Sequence, residues 1–276
     1  VITFSAYLVL NVWFVLGMGW GIQGSAIGTL VCQIAMAVAL VCVLWMRTRG
    51  LDLNLMPHLS GIASSLRDGT PLLIRTLALR AALYVTTWVA ARSGAITMAS
   101  YQVTMTMWNL LLMTMDALGI AGQALTGASL GAGDTRRTRS LTATMTRWGL
   151  VAGVVIGVVL AAFHQLLPVL YTDDPAVHRA VAAGLLVVAA QQIVAGPAFV
   201  LDGVLIGAGD GRWLSGAQVV MLVVYLPMAW AVHLFAPSDP AAAVVWLWIA
   251  FSGFMVVRCA ILAWRARGDT WMRTGA

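Results

Sequence analysis

Residues 178–210 read HRAVAAGLLVVAAQQIVAGPAFVLDGVLIGAGD. Between Ala180 and Gly207 the only charged side chain is Asp202. A helix crosses the hydrocarbon of a bilayer with about 20 mainly apolar residues, and this run is longer. A membrane strand would show alternating polarity over about 10 residues, and here the apolar character is continuous. The stretch predicts a membrane-spanning helix, closed by the turn residues of GAGD at 207–210.

The same pattern recurs on both sides. Apolar runs at 1–19, 24–46, 70–92, 98–124, 143–170, 178–206, 214–235 and 242–264 predict an all-α polytopic membrane protein of about eight spans. Of the 276 residues 61% are hydrophobic and 9% charged, against about 25% charged in soluble domains. A soluble chain of this size could not bury so much apolar surface. Cys32, Cys42 and Cys259 all lie inside apolar runs and show neither metal spacing nor a disulfide framework. Every basic residue is Arg and every acid Asp, a bias of GC-rich bacterial coding. The net charge of +6 is compatible with a nucleic-acid partner, but the Arg residues sit between spans and not on one soluble face. The partner they imply is a lipid bilayer, and no nucleic acid is expected.

Arg placement gives an orientation. Arg47, Arg49 and Arg67 fall in 47–69, Arg136, Arg137 and Arg139 in 125–142, Arg212 in 207–213, and Arg265, Arg267 and Arg273 in the tail. The alternate loops are short and free of Arg. Positive loops stay cytoplasmic, so a bacterial plasma membrane with both chain ends inside is expected. The expected organisation is two spans in 1–46, a cytoplasmic linker at 47–69, a six-helix bundle at 70–264 and a cytoplasmic tail at 265–276. Two spans make a poor bundle, and the chain opens on Val1 within an apolar run, so a preceding segment is expected.

A repeat is visible. Gly127 to Asp134 reads GASLGAGD and Gly203 to Asp210 reads GVLIGAGD, with Arg136 and Arg212 following at the same offset. Internal repeats are a signature of secondary transporters; the alternative is chance recurrence in a Gly- and Ala-rich chain. There is no Walker A or HExxH, and no GxSxG in a strand-turn-helix context, so neither a catalytic residue nor a metal site is expected.

Charges inside spans are costly and need a partner or a wet cavity. Asp202 and Asp116 are the acids in such positions, with Arg75, Arg80 and Arg258 as bases. A carboxylate in a low-dielectric cavity can load and release a proton near neutral pH, so Asp202 and Asp116 are candidates for cation coupling. The alternative is a structural Asp–Arg pair or a loop cap. Of the bases, Arg75 lies near a span end and Arg80 deeper, which makes Arg80 the better expected partner. Pro197 could open the helix one turn before Asp202. Tyr101, Gln102, Asn109, Gln191 and Gln192 are candidates to line a substrate cavity, Gln102 and Asn109 on one helical face with Met105, Trp108 and Met113 nearby. Aromatic rings attract cations and Met adapts to varied ligands; plain helix–helix hydrogen bonding is the alternative.

Several blocks resemble one family. GQALTGASLGAGDTRRTR (122–139), the 171–213 block with its LDGVLIGAGD, GMGWGIQGSAIGT (17–29) and LIRTLALR (73–80) are similar to segments of multidrug and toxic compound extrusion (MATE) transporters, the second and fourth close to the DinF-like branch. The resemblance covers nearly the whole chain. It implies twelve spans in two six-helix lobes, with the spans here as the fifth to twelfth and the first four helices of the N-terminal lobe as a missing partner. It implies an antiporter exchanging H+ or Na+ for cationic or amphipathic organic compounds, with no cofactor beyond the coupling ion. Asp202 matches the family's tenth-span Asp; the first-span Asp has no counterpart here. Two other expectations stand beside this one: a truncated chain with no transport of its own, and a flippase of lipid-linked sugars.

Overall fold

The computed structural model describes residue 7 and residues 9–48 and 59–272. Its helices are α1 (Gly21–Thr48), α2 (Leu59–Arg92), α3 (Ala95–Gly131), α4 (Thr135–Phe163), α5 (Pro175–Gly207), α6 (Gly211–Phe235) and α7 (Pro240–Arg267). Each contains a segment long and apolar enough to cross a membrane, and among the described residues there is no strand. The expected span at 1–19 lies partly outside the described residues; its described part is helical from residue 9 and closes in a π-turn, Trp13–Gly17.

The helices overrun the expected spans at most ends. The 125–142 loop shrinks to residues 132–134, since Arg136, Arg137 and Arg139 belong to the first turns of α4. The 47–69 linker is helical from Leu59; residues 49–58 lie outside the described residues. Hydropathy stops at the first charges, whereas backbone hydrogen bonding continues wherever the sequence tolerates helix.

Two compact units form, Val1–Ile62 and Ala63–Ala276. In the first, the Phe14 ring stacks on Trp13 and Trp20 at 6.1 and 5.7 Å. The first turn of α1 comes so close that a Cβ on Gly24 would lie 2.8 Å from the Phe14 carbonyl oxygen.

The second unit is built around α5, which packs along α3, α4 and α7. Lipid is as apolar as Leu, so helices in membranes associate through close van der Waals fit and small residues. On α4, Gly149, Gly153 and Gly157 repeat every fourth residue and meet α5 at Gly196, Gln192 and Ala189. A Cβ on Gly149 would sit 2.8 Å from the Gly196 carbonyl oxygen. Two and three turns further along α5, on nearly the same face as Gly196, Gly203 and Gly207 face the backbone of Gly119 and Gln123 on α3, where any Cβ would overlap a carbonyl. Against α7, Gly184 admits Val244 and Trp248. Tyr225, Phe251, Phe254 and Trp248 fill the space between α6 and α7 in edge-on pairs, the geometry that matches a positive ring edge to a negative face. The Tyr225 hydroxyl hydrogen-bonds with Thr86 of α2.

The two GAGD turns have the same backbone. Gly133 N–H donates to Leu130 and Asp134 N–H to Ser129, at 2.9 and 3.0 Å. Gly209 N–H donates to Ile206 and Asp210 N–H to Leu205, at 3.0 and 3.1 Å. Gly133 and Gly209 have φ of 77° and 75°. This is the Schellman ending, which needs a left-handed residue just past the helix and therefore favours glycine.

Candidate functional site

Asp202 sits on α5 beside Gly203, at a level where α3 lies backbone-close on one side. It is 7% exposed. A bare carboxylate there would be severely penalised. Two guanidinium groups from two other helices answer it: Arg75 of α2 and Arg258 of α7 both donate toward Oδ2, the Arg258 Nη2 from 3.1 Å. Arg258 is 2% exposed and lies over the Phe199 ring at 4.9 Å, so its charge is shared between a carboxylate and an aromatic face. Asp116, on α3, stands within electrostatic reach of Arg258, Asp202 and Arg75. Three helices thus bring one acid and two bases together inside an apolar bundle, and Asp116, exposed on α3 beside them, completes a neutral set of four charges.

Arg80 is the expected partner of Asp202, and the structure corrects this. Arg80 is exposed and forms no ion pair with Asp202, while Arg75 reaches inward to it. The two Arg residues stand five apart, hence about 140° around the helix, and only one can face α5. Arg258 is legible in the sequence as a charge within a span but not as a partner, because nothing in the spacing of distant helices reveals which faces meet. Pro197 does not open α5, which runs unbroken from Pro175 to Gly207; packing on several sides holds the helix through the lost hydrogen bond.

The substrate-cavity candidates separate into two groups. Tyr101, Gln191 and Gln192 are buried. The Tyr101 hydroxyl pairs with Thr87 at 3.3 Å and its ring tilts against Trp248. Gln192 donates to the Val188 carbonyl at 3.3 Å, and Gln191 accepts from Ser252 at 3.5 Å. Tyr101 and Gln191 thus tie helices together, while Gln192 bonds within its own helix. Gln102 and Asn109 are exposed on α3, on the same side as Asp116. A groove of about 530 Å³ between α2 and α6 is lined by Val85, Trp88, Val89, Leu226, Pro227 and Trp230; none of the charged cluster borders it.

Known proteins carry this arrangement further. The chain is 29% identical to Protein DETOXIFICATION 45, chloroplastic, of Arabidopsis thaliana, over 94% of this chain and 45% of that protein. It is 23% identical to DNA damage-inducible protein F of Escherichia coli (strain K12), over 96% of this chain and 58% of that protein. The chain thus spans about half the length of the curated relatives it matches. Its fold superposes on the outward-facing conformation of a multidrug resistance MATE family transporter of the MOP superfamily with a TM-score of 0.79, at 16% identity, covering 96% of this chain and 60% of that one. The MatE family profile matches residues 71–231, from the helix that carries Arg75 through the one that carries Asp202 and on into α6. With more than half of its residues under that profile and the fold to match, the chain belongs to the MatE family of membrane transporters.

Proposed function

We propose that the chain serves a secondary antiporter that moves small cationic or amphipathic organic compounds across the bacterial plasma membrane in exchange for H+ or Na+, with both of its ends cytoplasmic. The observation that carries this reading is the buried Arg75–Asp202–Arg258 cluster with Asp116 beside it. Intramembrane charges are expensive and mark ion or substrate paths by default. A proton or Na+ arriving at either carboxylate changes the charge balance of a neutral cluster, and the guanidinium groups, tied to different helices, respond. Cation loading would thereby bias α2 and α7 relative to α5, which is the differential interaction an alternating-access cycle requires.

The test is exchange in everted membrane vesicles from cells making the full chain. Ethidium movement is followed while an H+ or a Na+ gradient is imposed. Gradient-driven movement that Asp202→Asn abolishes is the expected result. Gradient-driven movement that survives Asp202→Asn would remove Asp202 from coupling, and no gradient dependence would sink the antiport reading.

A further inference from the structure

The groove between α2 and α6 is built in levels. Val85 and Leu226 line it at one level, Trp88 and Trp230 stack at the next, and Trp88 reaches on to His233 and Arg92. The two helices therefore run in the same direction. At the deep end the Thr86 and Tyr225 hydroxyls join them. From Val85 to Arg92 the groove rises about 10 Å, which fits within one leaflet of a hydrocarbon core roughly 30 Å thick. Its mouth is aromatic and basic. The Trp88 and Trp230 rings lie parallel at 6.2 Å, and the His233 imidazole tilts against them at 4.9 and 5.4 Å. The Arg92 guanidinium lies 5.5 Å from the centre of the Trp88 ring. Apolar wall, then indole, then cation is the order of a membrane–water interface. Stacking restrains the guanidinium over the mouth and leaves its edge donors free. Arg92 is exposed, and among the described residues no carboxylate pairs with it. Arg179 is exposed at the same membrane face, at the start of α5, but touches no ring among the described residues.

We infer that this groove holds an anionic phospholipid, with one acyl chain between α2 and α6 and the phosphate seated on Arg92. A lipid tail and the groove wall are equally apolar, so the chain gains little by entering. What it does is align the headgroup. The guanidinium presents paired N–H donors that match phosphate oxygens, and basic pockets between membrane helices take lipid head groups in this way. A zwitterionic lipid brings a cation that Arg92 repels, so a net negative headgroup is selected. A free phosphate would use Arg92 and leave the apolar walls unused, whereas a lipid uses both. The site borders neither Arg75, Asp202, Arg258 nor Asp116, so it goes beyond the transport reading and requires only that these helices span a bilayer. Its occupant touches α2 and α6 together and so braces the helix that carries Arg75.

Native mass spectrometry of the detergent-purified full chain tests this, with phosphatidylglycerol and phosphatidylcholine of the same acyl chains as the probes. The first phosphatidylglycerol is expected to bind at least about 10-fold more tightly than phosphatidylcholine, the least that a hydrogen bond to a charged group should contribute. Arg92→Gln is expected to abolish that preference, and Arg179→Gln to leave it intact. A phosphatidylglycerol carrying a diazirine in mid-chain then reports where the chain lies. On photolysis it is expected to crosslink residues 85–89 and 226–230, and unlabelled phosphatidylglycerol is expected to compete. Equal binding of the two lipids, or a preference that survives Arg92→Gln, would overturn the headgroup contact. Loss of the preference in Arg179→Gln as well would reduce it to the general charge of that membrane face and overturn the site. Crosslinks spread evenly over exposed apolar positions such as Val155 and Val158 of α4 would mean surrounding lipid only. Crosslinks that avoid the groove would mean that a helix or a second copy covers it. Either pattern would overturn the groove as a lipid site.

Discussion

The turn at Gly127–Asp134 and the turn at Gly203–Asp210 share five residues and one backbone, yet their surroundings give the same residues opposite work. In the first, Asp134 accepts from the Arg137 N–H at 2.8 Å and caps α4. In the second, Asp210 makes no side-chain cap; it takes the Arg265 Nε at 2.7 Å, and Arg265 in turn lies over Trp213. The glycines diverge as well. A Cβ on Gly131 would meet open space, while one on Gly207 would overlap the Gln123 carbonyl. Local sequence dictates the turn; which helix lies alongside dictates what each side chain is for.

The largest effect expected from this contrast is at the matched glycines. Gly207→Ala pushes a methyl into backbone that cannot move aside, at about 3 kcal/mol for overpacking, whereas Gly131→Ala should stabilise slightly, by up to about 1 kcal/mol. Thermal unfolding midpoints of the two detergent-purified variants check this; equal midpoints would mean that α3 and α5 are not in backbone contact there. Next comes Asp210→Ala, which strands the half-buried Arg265 guanidinium and should cost about 2 kcal/mol. Asp134→Ala loses only a cap, about 1 kcal/mol. Should the two cost the same, the ion pair adds nothing to the second turn. Gly133→Ala and Gly209→Ala should resemble each other, at about 1 kcal/mol each, since both pay for the left-handed backbone alone; a large difference would show that the turns are not equivalent after all. The smallest effect is at Asp134→Asn, which still caps and should be nearly silent, whereas Asp210→Asn should retain little of the Arg265 contact. Urea or heat titration of this last pair separates a cap from an ion pair most cleanly.

The fold was open to reading because its signal is one of length: continuous apolar runs such as 180–201 exclude strands and soluble helices alike. Helix ends were less open, because charge in Arg136 or Arg139 stops a hydropathy window without stopping a helix. In the site, Asp202 stood out as a lone acid in an apolar run. Its partners did not, since Arg75 and Arg80 differ only in azimuth and Arg258 lies a whole helix away in sequence. Tyr101 and Gln102 illustrate the same limit. They are neighbours in the chain but about 100° apart on the helix, so one ends up in the core and the other outside.

The glycine seams have a mechanical meaning. Where α4 and α5 meet at Gly149, Gly153 and Gly196, and α5 meets α3 at Gly119, Gly203 and Gln123, backbone rests on backbone with no rotamers between to absorb a slide. These three helices should move as one stiff plate. Arg75 reaches that plate from α2 through a long, jointed side chain, and such a tether can stretch, swing or let go without unpacking anything. Any motion that gates this unit has its compliance there, and its stiffness in the glycines.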